Sequence, residues 1–418
     1  MRLLLLTPFL PYPEAAAGAP RAIFDRLLLL SPHHDITVAT LMQQDERGHL
    51  EQLRKLGIRA HAVVRPSTTS PREVWRKRAA LAWGIVADPR PMLVQEFDRA
   101  PMRRLVLLSS RGFDLVLVEH ILAAQYIAEL KKSGAPVILT EHDPRAAFPP
   151  GGEPAQHHGP VAASPLRLID RMKWRRYAAG AYRRADLVLL PTGEDARLVA
   201  ANVPGTTTDV VPFGMVSQPT RTEAGDTRDE NTLLFVGNYD HPPNRDAAMW
   251  LGGEIMPLVW RQRPSTRLLL VGKNPTPGIK ALSSQRVEVT GEVPSVSTYL
   301  QRSTLFVAPL RSGGGMRMKL LEALSSGIPI VTTPLGAHGL EAVDGVHLLL
   351  AEDTGEMAAA IVRALGDPQL RGRLGSAGQM LVAQQQDRGN RAAHLNSVLE
   401  RVVAQSRASQ TGSKGAGG

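Results

Sequence analysis

Leu305-Phe306-Val307-Ala308-Pro309-Leu310-Arg311-Ser312-Gly313-Gly314-Gly315-Met316-Arg317-Met318-Lys319-Leu320-Leu321-Glu322-Ala323-Leu324 holds a short apolar run, a glycine loop and a helical pattern, in that order. Another apolar run, Pro329–Thr332, follows. Strand, helix and strand in this spacing make a βαβ unit with parallel strands. The runs are continuous rather than alternating, which is the pattern of strands covered on both faces. This one unit therefore predicts an α/β fold with a parallel sheet.

The same rhythm extends outward in both directions. Further strands are expected at Arg2–Leu6, Ile36–Thr40, Leu115–Val118, Val137–Thr140, Leu187–Leu190 and Asp209–Val211, and then at Leu233–Val236, Arg267–Val271, Val287–Val289 and Leu348–Ala351. Helical patterns lie between them, among them Arg21–Leu30, Leu122–Lys132, Arg245–Arg261 and Met316–Ser325. The series runs twice, and the polar stretch Ser217–Asn231 divides it. The expected architecture is two Rossmann-like doubly wound domains facing each other across a cleft. The first spans 1–216 and the second 217–390; a helix at 391–407 crosses back to the first, and a small-residue tail at 408–418 is expected to be disordered. Arg145–Pro165 and Pro66–Pro71 read as loose segments.

Composition narrows the chemistry. The chain has 418 residues, 43% of them hydrophobic and 21% charged, enough for two real cores. Cysteine is absent, so a disulfide scaffold, a thiolate zinc site and a cysteine nucleophile are excluded, and a cytoplasmic protein fits. The longest apolar run, Ala79–Ala87, is far below the ~20 residues of a membrane span. Met1–Leu6 reads as a first strand and not as a leader, because Thr7-Pro8 ends the run. The net charge of +10 is lopsided: residues 1–215 carry 28 Lys+Arg against 21 Asp+Glu. Such an excess names the sign of a partner and nothing finer. Arg72–Arg78 and Arg167–Arg184 read either as solvated basic faces or as interfacial helices on an anionic membrane. No nucleic-acid module is recognisable, so no nucleic-acid partner is expected.

The glycine loop carries the chemistry. Gly313, Gly314 and Gly315 let backbone approach a ligand closely, and the helix start behind them offers unpaired N–H groups to a diphosphate. Arg317 and Lys319 add positive charge at the same place, and Glu322 lies near enough for a ribose diol. Lys-Ser/Thr does not follow the last glycine, so this is not a Walker loop; nor does it follow the first strand of its domain, as a dinucleotide fingerprint would. No His-Glu-x-x-His spacing occurs, and no metal is expected.

These residues resemble the donor site of retaining glycosyltransferase family 4, which has the GT-B fold, and in particular a branch linked to exopolysaccharide sugar transfer. Leu234-Phe235-Val236-Gly237-Asn238-Tyr239-Asp240 resembles the loop that opens the donor domain, and Gly291-Glu292-Val293 the nucleobase segment. Gly327–Thr333, Gly336–Leu340 and Asp344–Leu350 resemble the segments that follow the motif helix. Thr7–Pro11 through Gly18 and Arg21 resembles the acceptor loop, and Val210–Met215 the approach to the hinge. The family pairs two glutamates eight positions apart; Glu322 is the second, and the first falls at Gly314. The first donor loop often carries a basic pair, where this chain reads His241-Pro242-Pro243-Asn244-Arg245.

The resemblance implies a metal-independent, retaining transferase with no cofactor. It would move a sugar from a nucleoside-diphosphate sugar to a saccharide, lipid-linked or small-molecule acceptor. Gly237, Asn238, Glu292, Val293, Gly313, Gly314, Gly315, Met316 and Glu322 would hold the donor, with Arg317 and Lys319 on the diphosphate. His142, in Thr140-Glu141-His142-Asp143, would face the sugar, and Gly18 and Arg21 would serve the acceptor side. His120 follows another strand end. A non-catalytic nucleotide-sugar-binding subunit and a sugar-nucleotide epimerase of the same fold remain as alternatives.

Overall fold

Among the described residues of the computed structural model, thirteen strands form two separate sheets, and within each sheet every strand pairing is parallel. The structure describes residues 1–13, 15, 18–65, 87–98, 100–109, 112–149, 166–214, 231–313 and 318–415. The Pro66–Pro71 linker, the Arg72–Arg78 stretch, most of the Arg145–Pro165 loop and the expected hinge at 217–230 lie outside them. The chain divides into a first unit, 1–214 with 388–418, and a second, 215–387.

The first sheet contains β1 (Arg2–Thr7), β2 (Asp35–Met42), β3 (Arg59–Val64), β4 (Leu115–Glu119), β5 (Val137–Thr140), β6 (Leu187–Leu190) and β7 (Thr208–Val210). Its order is β3-β2-β1-β4-β5-β6-β7. The second contains β8 (Thr232–Val236), β9 (Arg267–Val271), β10 (Val287–Gly291), β11 (Leu305–Ala308), β12 (Ile330–Thr332) and β13 (Leu349–Leu350), in the order β10-β9-β8-β11-β12-β13. Both are doubly wound: strand order reverses between β1 and β4 in one and between β8 and β11 in the other. Open sheets of this kind receive ligands at that reversal, beyond the carboxyl ends of the strands.

The apolar runs explain the cores. Leu3–Leu6 and Leu115–Val118 are fully buried in the first unit, as are Leu233–Phe235 and Leu305–Ala308 in the second. Strands covered on both faces can be apolar at every position, so no alternation is needed. The Gly18–Leu30 helix buries nine of its residues, including two charged ones, Asp25 and Arg26.

Three local expectations are corrected. Arg59–Val64 is a strand that the pattern did not suggest; it is one of the two edge strands of its sheet and interrupts its apolar residues with Arg59 and His61. The single helix expected over Leu122–Lys132 is instead a 3₁₀ segment (Ile121–Tyr126), one α-turn (Ile127–Leu130) and a second 3₁₀ turn. The helix expected over Arg245–Arg261 runs from Pro242 to Gln262 but passes through a π segment at Leu251–Ile255. Gly252 and Gly253 loosen that turn and Pro257 lacks an N–H to bond back, the usual causes of a wider turn.

The Arg388–Gly415 helix belongs to the first unit and runs well into the tail that composition reads as disordered. Arg391 pairs with Asp25, Arg401 with Asp209, and His394 bonds the Val210 carbonyl. These ties fix it along the Gly18–Leu30 helix and the end of β7. No helix among the described residues is long and apolar enough to cross a membrane.

Candidate functional site

The carboxyl edge of the second sheet is built around β8 and β9. As they leave the sheet, Gly237 N–H donates to the Val271 carbonyl at 2.9 Å and Tyr239 N–H to that of Lys273 at 3.0 Å. Gly272 has φ +144°, and a Cβ there would stand 1.8 Å from the Gly237 carbonyl oxygen. The close approach of these two loops therefore requires glycine.

Asn244 ties the loop after β8 to the motif helix. Its Nδ2 donates to the Asn238 carbonyl at 2.8 Å, and its Oδ1 accepts from Lys319 Nζ at 2.5 Å. The Lys319 ammonium also sits 5.0 Å from the centroid of the Phe235 ring. A charge-assisted hydrogen bond and a ring face thus hold this cation at the strand reversal. Arg245 is used differently: its guanidinium donates to the Tyr239 and Asp240 carbonyls, each at 3.0 Å, and so braces the loop.

Entry to the glycine loop is similarly fixed. Thr333 donates its hydroxyl to the Leu310 carbonyl and accepts from Gly336 N–H at 2.9 Å. Thr332 bonds the Ala308 carbonyl at 2.7 Å. Arg311 pairs with Asp246 at 2.6 Å and lies 4.4 Å from the Trp250 ring centroid. Gly313 has φ +96°, which suits a residue without a side chain.

Of the donor residues expected from sequence, Gly237, Asn238 and Lys319 are brought together through Asn244. Glu322 is half-buried, one turn after Lys319 on the Met318–Ser325 helix. Glu292 is exposed and Val293 packs on the core; both follow β10, two strands away along the same edge. Gly314, Gly315, Met316 and Arg317 lie outside the described residues. Asn244 and Thr333 were given no role by the sequence reading, although both sit next to motif residues.

The first sheet carries a second polar group at its own reversal. His142 follows β5 and is 7% exposed. Its Nε2 lies 3.4 Å from Oε2 of Glu119, and Arg26 Nε lies 3.0 Å from Oε1 of the same carboxylate. Rings of Phe213 and His120 stand 4.4 and 5.1 Å from the His142 centroid. Burial pushes both histidines below their usual range. Burial pushes Glu119 upward, but the Arg26 guanidinium and the contact with His142 outweigh it and hold the carboxyl below its usual range.

Beside this group, Glu141 is fully buried and accepts from His142 N–H, Asp143 N–H and the Tyr182 hydroxyl at 2.7–3.0 Å. Burial nonetheless pushes its carboxyl up to about 7. Gly18 opens the helix that carries Arg26, and Arg21 is half-buried on its next turn. Among the described residues, no group of three His, Asp or Glu is arranged to hold a metal ion. Arg26 and Glu119 are the residues the sequence reading missed; a charge closing an apolar run, Leu115–Val118, was the available signal.

Residues 230–367 match the family model described as Glycosyl transferases group 1. Phosphatidyl-myo-inositol mannosyltransferase of Mycobacterium leprae is 28% identical over 162 residues, 37% of this chain and 42% of that protein. An uncharacterized 44.6 kDa protein in the cps region of Klebsiella pneumoniae is 28% identical over 131 residues, 29% of this chain and 34% of that one. The chain thus spans less than half the length of these relatives. Anabaena HepE in complex with UDP and glucose shares the fold with a TM-score of 0.64 and 16% identity, covering 96% of this chain and 100% of that one. Two Rossmann-like units with such neighbours place the chain in the GT-B architecture.

Proposed function

We propose that the chain is a retaining, metal-independent glycosyltransferase of the family 4 type. It moves a sugar from a nucleoside-diphosphate sugar to a hydroxyl of a saccharide, lipid-linked or small-molecule acceptor. One observation carries the reading: the Lys319 ammonium, bonded to Asn244 at 2.5 Å, stands at the strand reversal of the sheet whose residues match the group 1 glycosyl transferases model. HepE, named for its complex with UDP and glucose, supports a nucleotide-sugar donor. The mannosyltransferase named for phosphatidyl-myo-inositol supports a lipid-linked acceptor.

The chemistry follows from where charge develops. The bond between the anomeric carbon and the diphosphate oxygen breaks, and its electron pair leaves on the diphosphate. Lys319 supplies positive charge fixed before reaction, which is what stabilises a developing anion; Arg317, two positions earlier in sequence, is assigned to the same diphosphate. The acceptor oxygen bonds to the anomeric carbon on the same face, and the departing diphosphate takes the acceptor's proton. No carboxylate nucleophile is required. We assign His142 to the sugar, Gly18 and Arg21 to the acceptor, and Glu322 to the ribose.

The test is to incubate the full chain with a panel of nucleotide sugars and to measure nucleoside diphosphate release with and without acceptors. Release that depends on an acceptor, with the donor's anomeric configuration kept in the product, is the expected result. Binding without turnover on any acceptor would favour a donor-binding subunit, and acceptor-free interconversion of the sugar an epimerase.

A specific observation favours an acceptor at an anionic membrane. On the Leu166–Arg184 helix, Leu168, Ile169 and Met172 are 63%, 41% and 54% exposed, and the stripe continues through the exposed Arg175, Arg176 and Arg183. An apolar patch continued by cations suits the boundary of an anionic bilayer. The chain is expected to sediment with vesicles of phosphatidylglycerol and phosphatidylcholine and to stay in solution with phosphatidylcholine alone. A Leu168→Asp, Met172→Asp variant is expected to lose most of that binding; unchanged sedimentation would remove the helix from the membrane contact.

A further inference from the structure

We propose that Glu119 is a positioning residue for His142: anchored by Arg26, its carboxylate selects the ring tautomer that carries the proton on Nε2 and leaves Nδ1 as an acceptor. The inference rests on the assignment of His142 to the sugar. Its structural part can be tested without that assignment.

Glu119 is the last residue of β4, beside the reversal with β1, and its partner in the β5 register is Thr140. It is fully buried. A buried carboxylate is retained only with compensating partners, because desolvation costs several kcal/mol per ion. Its two oxygens divide the work between two elements. Oε1 lies 3.0 Å from Nε of Arg26, a 4%-exposed side chain on the Gly18–Leu30 helix. Oε2 lies 3.4 Å from Nε2 of His142, beyond the end of β5.

The ring has little freedom left. Phe213 stands 4.4 Å from it and His120 5.1 Å, centroid to centroid. His120 itself is held with φ +77°, its Nδ1 accepting from Leu122 N–H at 3.2 Å. Of the charged groups around His142, Glu119 attracts its protonated form while Arg26 opposes it. A neutral imidazole beside a carboxylate places its single proton toward that carboxylate. This logic is that of a carboxylate that holds a catalytic histidine in one tautomer and orientation. Arg26 is the reason the carboxylate stays ionised there, which makes the pair a unit: neither charge is tolerable alone.

The experiment reads the ring directly. The full chain is labelled with ¹⁵N-histidine, and the His142 signals are assigned by comparison with His142→Gln. Near neutral pH the wild type is expected to show a neutral ring protonated on Nε2. Glu119→Asp keeps the charge near Arg26 but withdraws it by one methylene, and is expected to shift the population toward the Nδ1-protonated form. Glu119→Gln is expected to do the same. An Nδ1-protonated ring in the wild type overturns the proposal even if neither variant folds. So does a tautomer unchanged in folded Glu119→Asp.

In the transferase assay, Glu119→Asp is expected to lower kcat by about 10²-fold, the cost of misplacing a reacting group by ~1 Å, with KM for the donor nearly unchanged. If the tautomer shifts while no donor is turned over by the wild type, the positioning role stands and the assignment of function falls. If the tautomer shifts and kcat does not, His142 is positioned but does not act on the sugar.

Discussion

Lys319→Ala is expected to weaken the binding of nucleoside diphosphates and their sugars by roughly 10- to 100-fold, because a hydrogen bond to a charged group contributes about 1.5–3 kcal/mol. The size follows from how the ammonium is held. Nζ is bonded to Asn244 Oδ1 at 2.5 Å and lies 5.0 Å from the Phe235 ring, so little side-chain entropy remains to be lost when an anion arrives. Alanine removes the charge and also strips a partner from Asn244, which is only 8% exposed. The Asn238 loop should loosen with it, since Asn244 also holds the Asn238 carbonyl.

Asn244→Ala separates these two effects. It keeps the cation, releases its anchor, and is expected to weaken binding less than Lys319→Ala. Isothermal titration with nucleoside diphosphates across the two variants, alongside thermal unfolding to confirm folding, checks the prediction. An affinity unchanged in folded Lys319→Ala would move the diphosphate away from this strand reversal and remove the main support for the proposed activity.

What the sequence made legible divides along physical lines. Buried parallel strands are continuous apolar runs, so most of the described strands could be read from the apolar pattern, and the one that was not, Arg59–Val64, is an edge strand whose run is interrupted by Arg59 and His61. Lys319 and Gly237 stood out because glycine loops and cations beside them have a local signature. Asn244 did not: its role exists only because β8 and the motif helix are neighbours in space, and neighbourhood is set by strand order. The same holds for Arg26 and Glu119. Each is an ordinary charge in sequence, 93 positions apart, and they meet only because β4 is inserted beside β1. Both polar groups therefore sit at a reversal of strand order, where two adjacent strand ends diverge and leave room that side chains from distant segments fill. Local propensity also misjudged Leu122–Lys132: its helical spacing was real, but the turn at His120 with φ +77° and the tertiary packing of Ile121–Tyr126 favoured a tighter 3₁₀ path.

Gly272→Ala is expected to destabilise the second unit by about 2–6 kcal/mol, combining backbone strain of ~1–3 with overpacking of ~1–3. The added Cβ would stand 1.8 Å from the Gly237 carbonyl oxygen and 2.7 Å from its carbon, backbone atoms with little room to yield. Gly237 cannot retreat: its own N–H is bonded to Val271, and Asn244 lies 2.9 Å from where a Gly237 Cβ would be. Gly272 is equally fixed, since its N–H donates to the Gly291 carbonyl at 3.0 Å and its φ is +144°. Relief is possible only by parting the ends of β8 and β9, which would displace Asn238 and Asn244 and weaken donor binding while Lys319 remains in place. Gly253→Ala is the control. Gly253 is exposed, and nothing lies within 4 Å of its would-be Cβ, so that change is expected to fall within about 1 kcal/mol of neutral. Thermal unfolding and nucleotide titration of both variants decide the matter. A Gly272→Ala chain as stable as Gly253→Ala would mean that the two loops do not approach each other closely, and that the seat of Lys319 is built in some other way.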